Sequence, residues 1–110
     1  MASLRLPLVA IINSAGIPSH GPLEAMALED MMKAYQVNCV GAVAVCQQFM
    51  KDLRKSRGRI ILIGSVAALG GCPMMGSYAA SKRGLEAVAD ALRVELYRWG
   101  VNVSVIEPGK

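Results

Sequence analysis

The alternation of short, largely apolar runs with longer helical stretches constrains the fold of this chain most strongly. Three apolar runs have the length of strands, and turn-forming residues follow each of them. They are Leu8–Ile12, Arg59–Ile63 and Val101–Ile106. Two longer stretches with helical patterns separate these runs, Leu28–Ser56 and Ser77–Trp99. Because strands joined by helices pair in parallel through right-handed crossovers, we predict an α/β fold in β-α-β-α-β order.

Single residues predict where the helices break, begin and end. Poor helix formers surround Asn38, so we expect a break in the first helix at this point. Ser77 is predicted to cap the start of the second helix, and Gly100 to stop it. Two right-handed crossovers place both helices on one face of a three-stranded sheet. We therefore expect the other face to lack helices within these 110 residues.

Composition places the chain among globular proteins. Its 110 residues suffice for at most one domain, and 54% of them are hydrophobic against 18% charged. The formal net charge is +4, and much of the basic excess lies between the first helix and the second strand. We interpret these cations as a solvated helix end; a nucleic-acid surface is the alternative, but no aromatic residue is interleaved there. The cluster consists of Lys51, Arg54, Lys55, Arg57 and Arg59.

The cysteine pattern and the apolar runs exclude several classes of protein. Cys39, Cys46 and Cys72 are odd in number and have no metal-binding spacing, so we expect reduced thiols and no metal site. A reducing compartment follows, cytoplasmic or organelle-associated. The apolar runs are too short to span a membrane, and no signal peptide is recognisable. His20 is interpreted as a surface residue rather than a catalytic group or a metal ligand.

Ser65, Tyr78 and Lys82 have the chemistry for alcohol–carbonyl interconversion. Tyr78 and Lys82 are four residues apart and therefore share one face of a helix. An ammonium near a phenol favours the phenolate form, which makes a tyrosine useful in acid–base catalysis. Ser65 offers a hydroxyl group that can hold the same substrate oxygen.

These residues and four other features together resemble the short-chain dehydrogenase/reductase family. Tyr-x-x-x-Lys alone is a weak signal, but the order and spacing of all the motifs match the family from about residue 8 to residue 109. The motifs are Asn13-Ser14-Ala15-Gly16 after the first strand, Asn38, Gly64-Ser65, Tyr78-Ala79-Ala80-Ser81-Lys82 and Pro108-Gly109.

The resemblance implies a catalytic role for four residues. Tyr78 would be the acid–base group, and Lys82 would favour its phenolate form and bind the nicotinamide ribose. Ser65 would position the substrate oxygen, and Asn38 would hold a water in a proton relay to Lys82. Taken singly, each residue has a structural alternative: a turn cap, a helix irregularity, an interfacial tyrosine or a solvated lysine. The joint pattern favours catalysis.

The resemblance also implies a nicotinamide cofactor, NAD or NADP. The turn after the first strand would support the sheet and lie against this cofactor, although the family's frequent second Asn is Ser14 here. The residues after the third strand would line the nicotinamide end. The predicted cofactor-binding residues are Asn13, Ala15, Gly16, Tyr78, Lys82, Pro108 and Gly109.

The pyrophosphate-binding motif of the family is not present in this sequence. No two glycines lie two positions apart, so neither Gly-x-x-x-Gly-x-Gly nor Gly-x-Gly-x-x-Gly can be written. Residues 1–110 therefore resemble the catalytic part of a Rossmann-like, doubly wound domain, without its glycine-rich unit or its C-terminal substrate loop. A non-enzymatic fragment that cannot bind cofactor is the alternative. An epimerase or dehydratase of the extended branch is disfavoured by the turn at Asn13 and the short spacing from Ser65 to Tyr78.

The resemblance implies a secondary alcohol or a ketone as the substrate, and the apolar loop Gly70–Gly76 favours a small hydrophobic one. The resemblance is closest to family members that act on steroids, retinoids or lipid-like alcohols. It also implies a homodimer or homotetramer in which the two long helices pack against those of a second subunit. The apolar residues available for the sheet and this contact are Val43, Phe49, Leu85, Val88 and Leu92.

Overall fold

A computed structural model of the chain describes residues 6–65, 68 and 73–108. Three strands, β1 (Ala10–Asn13), β2 (Arg59–Ile63) and β3 (Asn102–Ile106), form one parallel sheet in the order β1-β2-β3. This topology confirms the α/β prediction and is a partial Rossmann-like sheet. The first strand was predicted over Leu8–Ile12, but β1 begins at Ala10, the first residue in register with β2, where it lies opposite Arg59.

The first helical stretch is continuous but changes its winding in the middle. Helix α1 covers Leu28–Tyr35, a π-helical turn covers Gln36–Val40, and helix α2 covers Gly41–Ser56. The predicted break at Asn38 is therefore not a break: the helix continues through this point, and the irregularity takes the form of one widened turn. Such turns are often found at functional sites, because the extra residue points a side chain in a new direction.

The second helix differs from its prediction at both ends. Helix α3 spans Gly76–Glu95, and a separate 3₁₀ turn follows it at Tyr97–Trp99. The prediction that Ser77 caps the helix is wrong, because Ser77 lies inside the first turn and its buried Oγ accepts a hydrogen bond from Ser19. Gly100 ends the 3₁₀ turn in the left-handed conformation, with φ of 70°, as a glycine stop requires.

Helices cover one face of the sheet and leave the other face exposed. Ile11, Ile60 and Val103 lie in one row across the strands and are buried beneath α2 and α3. On the other face, Ile12 is 66% exposed and Ile106 is 51% exposed. Both helices therefore lie on the same face, as the crossover rule predicts. The rest of the core under the helices includes Cys46, Leu53, Leu62, Leu85, Ala89 and Leu96.

Two of the three cysteines can be placed. Cys39 and Cys46 are free and buried, which agrees with reduced core thiols; Cys72 lies outside the described residues. None of the helices in the described part of the chain is both long and apolar enough to cross a membrane. His, Cys, Asp and Glu side chains within residues 6–65, 68 and 73–108 form no group that could hold a metal ion.

Candidate active site

The predicted site residues lie around the edge of the sheet where all three strands end. Asn13 is the last residue of β1, Ser65 comes two residues after β2, and Pro108 comes two residues after β3. The first turns of α3 bring Tyr78 and Lys82 to this edge. Ligands of open parallel sheets bind outside the carboxyl ends of the strands, so the position suits a binding site.

Lys82 is a buried cation tied to the end of β2. Its side chain is 4% exposed, and its Nζ donates a hydrogen bond of 3.1 Å to the carbonyl oxygen of Ile63. The same Nζ lies 5.9 Å from the centre of the Tyr78 ring. Burial lowers the pKa of Lys82, because removal from water disfavours the charged form. An ammonium has three N–H groups, and within the described residues Lys82 uses one of them in this way.

Asn38 joins the loop after β1 to the first turns of α3. Its Oδ1 accepts a hydrogen bond of 2.7 Å from the N–H of Ile17, and its Nδ2 donates one of 2.9 Å to the carbonyl of Ile17. The same Nδ2 donates to Ser81 Oγ at 3.0 Å, and Ser81 Oγ donates to the carbonyl of Tyr78 at 2.7 Å. The π-helical turn points this amide inward, where it fixes the backbone beside Tyr78.

This bonding pattern limits how Asn38 can act in a proton relay. The amide nitrogen has two N–H groups, and Ile17 and Ser81 take both of them. A relay water at Asn38 would therefore bind the remaining lone pair of Oδ1 or the main chain. The sequence-based prediction named the residue and left open which of its atoms would hold the water.

The turn after β1 brings bare backbone against the catalytic candidates. A Cβ atom added at Gly16 would lie 3.2 Å from Asn38 Oδ1 and 3.3 Å from Lys82 Nζ, so Gly16 sits between these two side chains. Asn13 supports the turn from below, because its Nδ2 donates to the carbonyl of Ala42 in α2 at 3.3 Å. The predicted structural role of this turn therefore has a clear physical basis.

The remaining predicted site residues are Ser65, Ala15, Pro108 and Gly109. Ser65 is half-buried and lies two residues after Ile63, the last residue of β2. Ala15 and Pro108 are exposed at the same edge and, among the described residues, make no hydrogen bond to Tyr78 or Lys82. Gly109 lies outside the described residues, as do residues 70–72 of the predicted substrate loop.

Sequence reasoning missed two residues beside Tyr78. His20 is exposed, as expected, yet its ring stacks on the Tyr78 ring with centroids 6.1 Å apart and planes 20° apart. Ser19 is buried and donates a hydrogen bond of 2.8 Å to Ser77 Oγ. Ser19 and His20 line a cavity of about 640 Å³, together with Asp30 and Lys33 of α1 and residues of the loop between β1 and α1. Their only sequence signal is their position a few residues after the Asn13 turn.

A comparison with known families agrees with this arrangement. The profile described as short chain dehydrogenase matches residues 3–110. The chain belongs to the short-chain dehydrogenase family. The resemblance drawn from the Asn13 turn, Asn38, Ser65, Tyr78 and Lys82 is thereby confirmed for the family, and the named members it matches are dehydrogenases and reductases.

The individual proteins that the chain matches are longer than the chain itself. It is 37% identical over 107 residues to the NADPH-dependent 3-dehydrocapnine reductase of Ornithobacterium rhinotracheale, covering 93% of this chain and 38% of that protein. It is 36% identical over 99 residues to the mitochondrial D-beta-hydroxybutyrate dehydrogenase of Mus musculus, covering 90% of this chain and 29% of that protein. The fold also matches a Thermococcus sibiricus alcohol dehydrogenase solved with 5-hydroxy-NADP, at a TM-score of 0.90 and 20% identity, over 98% of this chain and 46% of that one. The chain thus spans less than half the length of each.

Proposed function

We propose that residues 1–110 form the catalytic part of an NAD(P)-dependent oxidoreductase that interconverts a secondary alcohol and a ketone. The observation that carries this proposal is the buried Lys82 ammonium, anchored to Ile63 and held 5.9 Å from the Tyr78 ring at the carboxyl-terminal edge of the sheet. Burying a cation costs free energy unless it is paired, and titratable groups that burial perturbs cluster at functional sites.

In this proposal Tyr78 exchanges the proton of the substrate oxygen. During ketone reduction its hydroxyl gives a proton to the carbonyl oxygen, and during alcohol oxidation the phenolate takes it back. The nearby Lys82 cation stabilises the negative charge on Tyr78 after the proton has left. Ser65 holds the substrate oxygen by a hydrogen bond. The links from Asn38 through Ser81 keep the backbone of Tyr78 in place.

The residues of this edge fit the nicotinamide end of the cofactor. Gly16 leaves space that a Cβ would fill, directly against Asn38 Oδ1 and Lys82 Nζ. Within the described residues Lys82 uses one of its three N–H groups, and the others can donate to the hydroxyls of a ribose. Asn13, Ala15 and Pro108 would form the walls of the site. When bound, the cofactor supplies or accepts the hydride. Nothing in these residues separates NAD from NADP.

We infer a small, largely hydrophobic substrate. The cavity that contains His20, which stacks on Tyr78, has apolar walls from Ile17, Pro18 and Met26 beside the charged side chains of Asp30 and Lys33. Met74, at the entry to α3, is 57% exposed. His20 contributes a polar group next to the Tyr78 ring. The 3-dehydrocapnine reductase and the D-beta-hydroxybutyrate dehydrogenase indicate the general class, a ketone or the corresponding alcohol.

The test is a pair of tyrosine substitutions in a completed domain, meaning this chain joined to the segments that complete the domain in its relatives. Tyr78→Phe removes only the hydroxyl, and loss of a general acid–base group lowers kcat by about 10²–10⁴-fold. Tyr97→Phe is the matched control, because Tyr97 is 84% exposed in the 3₁₀ turn after α3. Ketone reduction is measured with NADH and with NADPH.

Near-normal turnover in Tyr78→Phe would refute the catalytic assignment. Equal losses in both variants would mean that the assay reports folding rather than chemistry. Thermal melts of the two variants are therefore recorded alongside the rates, and both are expected to match the parent protein.

We also propose that the completed domain is a homodimer or homotetramer through α1, α2 and α3. An apolar groove of about 630 Å³ runs along α1 and the π-helical turn, and Leu28, Met32 and Val40 in it are 71%, 69% and 52% exposed. Of the residues predicted for this contact, Leu85 lies in the core, whereas Phe49 is 39% exposed.

Light scattering tests the assembly. Met32→Glu places a charge in the apolar groove and is expected to shift the mass toward the monomer, whereas Lys33→Glu alters the neighbouring exposed position and is expected to leave the mass unchanged. A parent protein that is monomeric at micromolar concentration would contradict the proposal.

A further inference from the structure

The amino-terminal edge of the sheet, opposite the candidate active site, contains a second concavity of about 580 Å³. It lies between the start of β2, the start of β3 and the end of α3. Four arginines from different parts of the fold line it, and we refer to them as the arginine pocket. Arg57 follows α2, Arg59 begins β2, Arg93 belongs to α3, and Arg98 lies in the 3₁₀ turn after α3.

The positive charge of this pocket is mostly uncompensated. Its other described lining residues are neutral, and no carboxylate is among them. The single ion pair in the described part of the chain joins Arg93 to Asp90 at 2.9 Å, so Arg57, Arg59 and Arg98 have no such partner there. Like charges collected in a concavity repel one another and concentrate a positive potential, which attracts an anion.

Two of the arginines are held in place before any ligand arrives. Arg93 Nε donates to the carbonyl of Val103 at 3.2 Å, and the same side chain binds Asp90. The stem of Arg57 packs over Gly100, since a Cβ added there would lie 3.2 Å from Arg57 Cδ. Binding therefore requires less ordering of these side chains than binding to free surface arginines would.

The residue type indicates the ligand. A guanidinium presents a planar fork of N–H groups that matches two phosphate oxygens, whereas a lysine offers only a point charge. All the charged residues that line the pocket are arginines, although α2 also carries Lys51 and Lys55. The four arginines line one concavity, which suits one compact phosphate group better than an extended nucleic-acid backbone.

We infer that the arginine pocket binds a phosphate monoester, at the edge of the sheet away from the candidate active site. The phosphate can belong to a free metabolite or to a lipid headgroup, since both present the same oxygens. The assignment is independent of the oxidoreductase proposal, because none of its residues belongs to the Tyr78 site.

The experiment uses the completed domain, two probes and two matched variants. Glycerol 3-phosphate is titrated by calorimetry, and flotation is measured with phosphatidylcholine vesicles that contain or lack phosphatidic acid. Arg57→Gln/Arg98→Gln removes two positive charges from the pocket. Lys51→Gln/Lys55→Gln removes two positive charges from exposed positions that do not line it.

The arginine variant is expected to weaken phosphate binding by at least about tenfold, the effect of losing charge-assisted hydrogen bonds, and the lysine variant to change it little. Turnover and melting temperature are expected to stay unchanged in both variants. Binding of glycerol 3-phosphate without flotation would support a free ester, and flotation dependent on phosphatidic acid would support a lipid headgroup.

Three results would overturn the inference. The first is that neither probe binds at millimolar phosphate. The second is equal weakening of phosphate binding in both variants, which would mean that binding depends on the net charge of the protein and not on the arginine pocket. The third is tighter binding of a single-stranded oligonucleotide that both variants weaken equally, which would make this end of the molecule a nucleic-acid surface.

Discussion

The two edges of the sheet hold their positive charges in opposite ways. At the carboxyl-terminal edge, Lys82 is buried and bonded to Ile63. At the amino-terminal edge, the four side chains of the arginine pocket are exposed, and one of them has an ion-pair partner among the described residues. Burial fixes a charge in position but requires partners, whereas exposure leaves a charge hydrated and adaptable. The first arrangement suits chemistry at a defined atom, and the second suits capture of an anion.

The closest contacts made by the backbone also differ between the two edges. Around Lys82, side chains make the contacts: Asn38 bonds both polar groups of Ile17, and Gly16 approaches side-chain ends. At the amino-terminal edge the closest approach is between two backbones, since a Cβ at Gly58 would lie 2.6 Å from the carbonyl oxygen of Val9, while the side chains of Arg57 and Arg93 contact Gly100 and Val103. Substitutions at the two edges should therefore affect different properties, catalysis in the first case and stability or anion binding in the second.

The largest difference is expected from removing one cation at each edge. Lys82→Met in the completed domain should lower kcat by about 10²–10⁴-fold, because the variant loses both the charge near Tyr78 and donors for the cofactor. Arg59→Met removes an exposed charge from the arginine pocket and should leave kcat within a factor of about two. Steady-state kinetics with the preferred cofactor measure both. Similar losses in the two variants would mean that the edges are not functionally distinct.

A second contrast concerns two asparagines. Asn38 is 1% exposed and makes three hydrogen bonds, so Asn38→Ala leaves groups of Ile17 and Ser81 without partners. An unsatisfied buried group costs about 1–3 kcal/mol, but Ile17 is half-buried and Ser81 keeps its bond to the Tyr78 carbonyl, so the free energy of unfolding should fall by about 2–4 kcal/mol in total. Asn102→Ala, at an exposed position of β3, should change it by about 0.5 kcal/mol or less. Urea denaturation of the completed domain gives both values, and a small effect at Asn38 would remove its structural role.

The sequence predicted the fold well where local pattern and global topology agree. The Arg59–Ile63 strand was predicted at its observed bounds, and the irregularity at Asn38 was expected, though as a break, because its neighbours are poor helix formers. Ser77 was misread because a serine before a helical run has the same local pattern whether it caps the helix or enters it. Only the tertiary contact with Ser19 distinguishes the two cases.

The candidate site was predictable in its residues and not in its contacts. Tyr78 and Lys82 follow from helical spacing, but the bond from Lys82 to Ile63 joins two elements whose packing no short pattern describes. His20 lies in a loop of Pro and Gly, where periodicity gives no direction, so its stacking on Tyr78 could not be foreseen. The arginine pocket likewise brings together residues that are about 40 positions apart in the chain.

Two glycine substitutions sharpen the contrast between the edges. Gly58→Ala forces its Cβ against the Val9 carbonyl, a backbone atom that pairs with the N–H of Arg59, and should cost about 1–3 kcal/mol of stability. Gly16→Ala meets only the ends of the Asn38 and Lys82 side chains, so it should cost less stability and instead raise KM for the cofactor. Denaturation and kinetics are measured on both variants. The reverse pattern would show that the Gly16 turn is structural and that the space beside it does not hold cofactor.

The smallest expected effect is the pH dependence that Lys82 adds to stability. Burial lowers the pKa of Lys82 in the folded protein, while in the unfolded chain this lysine has its ordinary pKa of about 10.4. Between these two values the unfolded state binds more protons than the folded state, so this group makes stability rise with pH. The difference in unfolding free energy between the parent domain and Lys82→Met should therefore shift in favour of the parent as the pH increases toward 10. A flat difference would mean that the Lys82 ammonium is well solvated in the folded protein, and the contrast between the two edges would then rest on geometry alone.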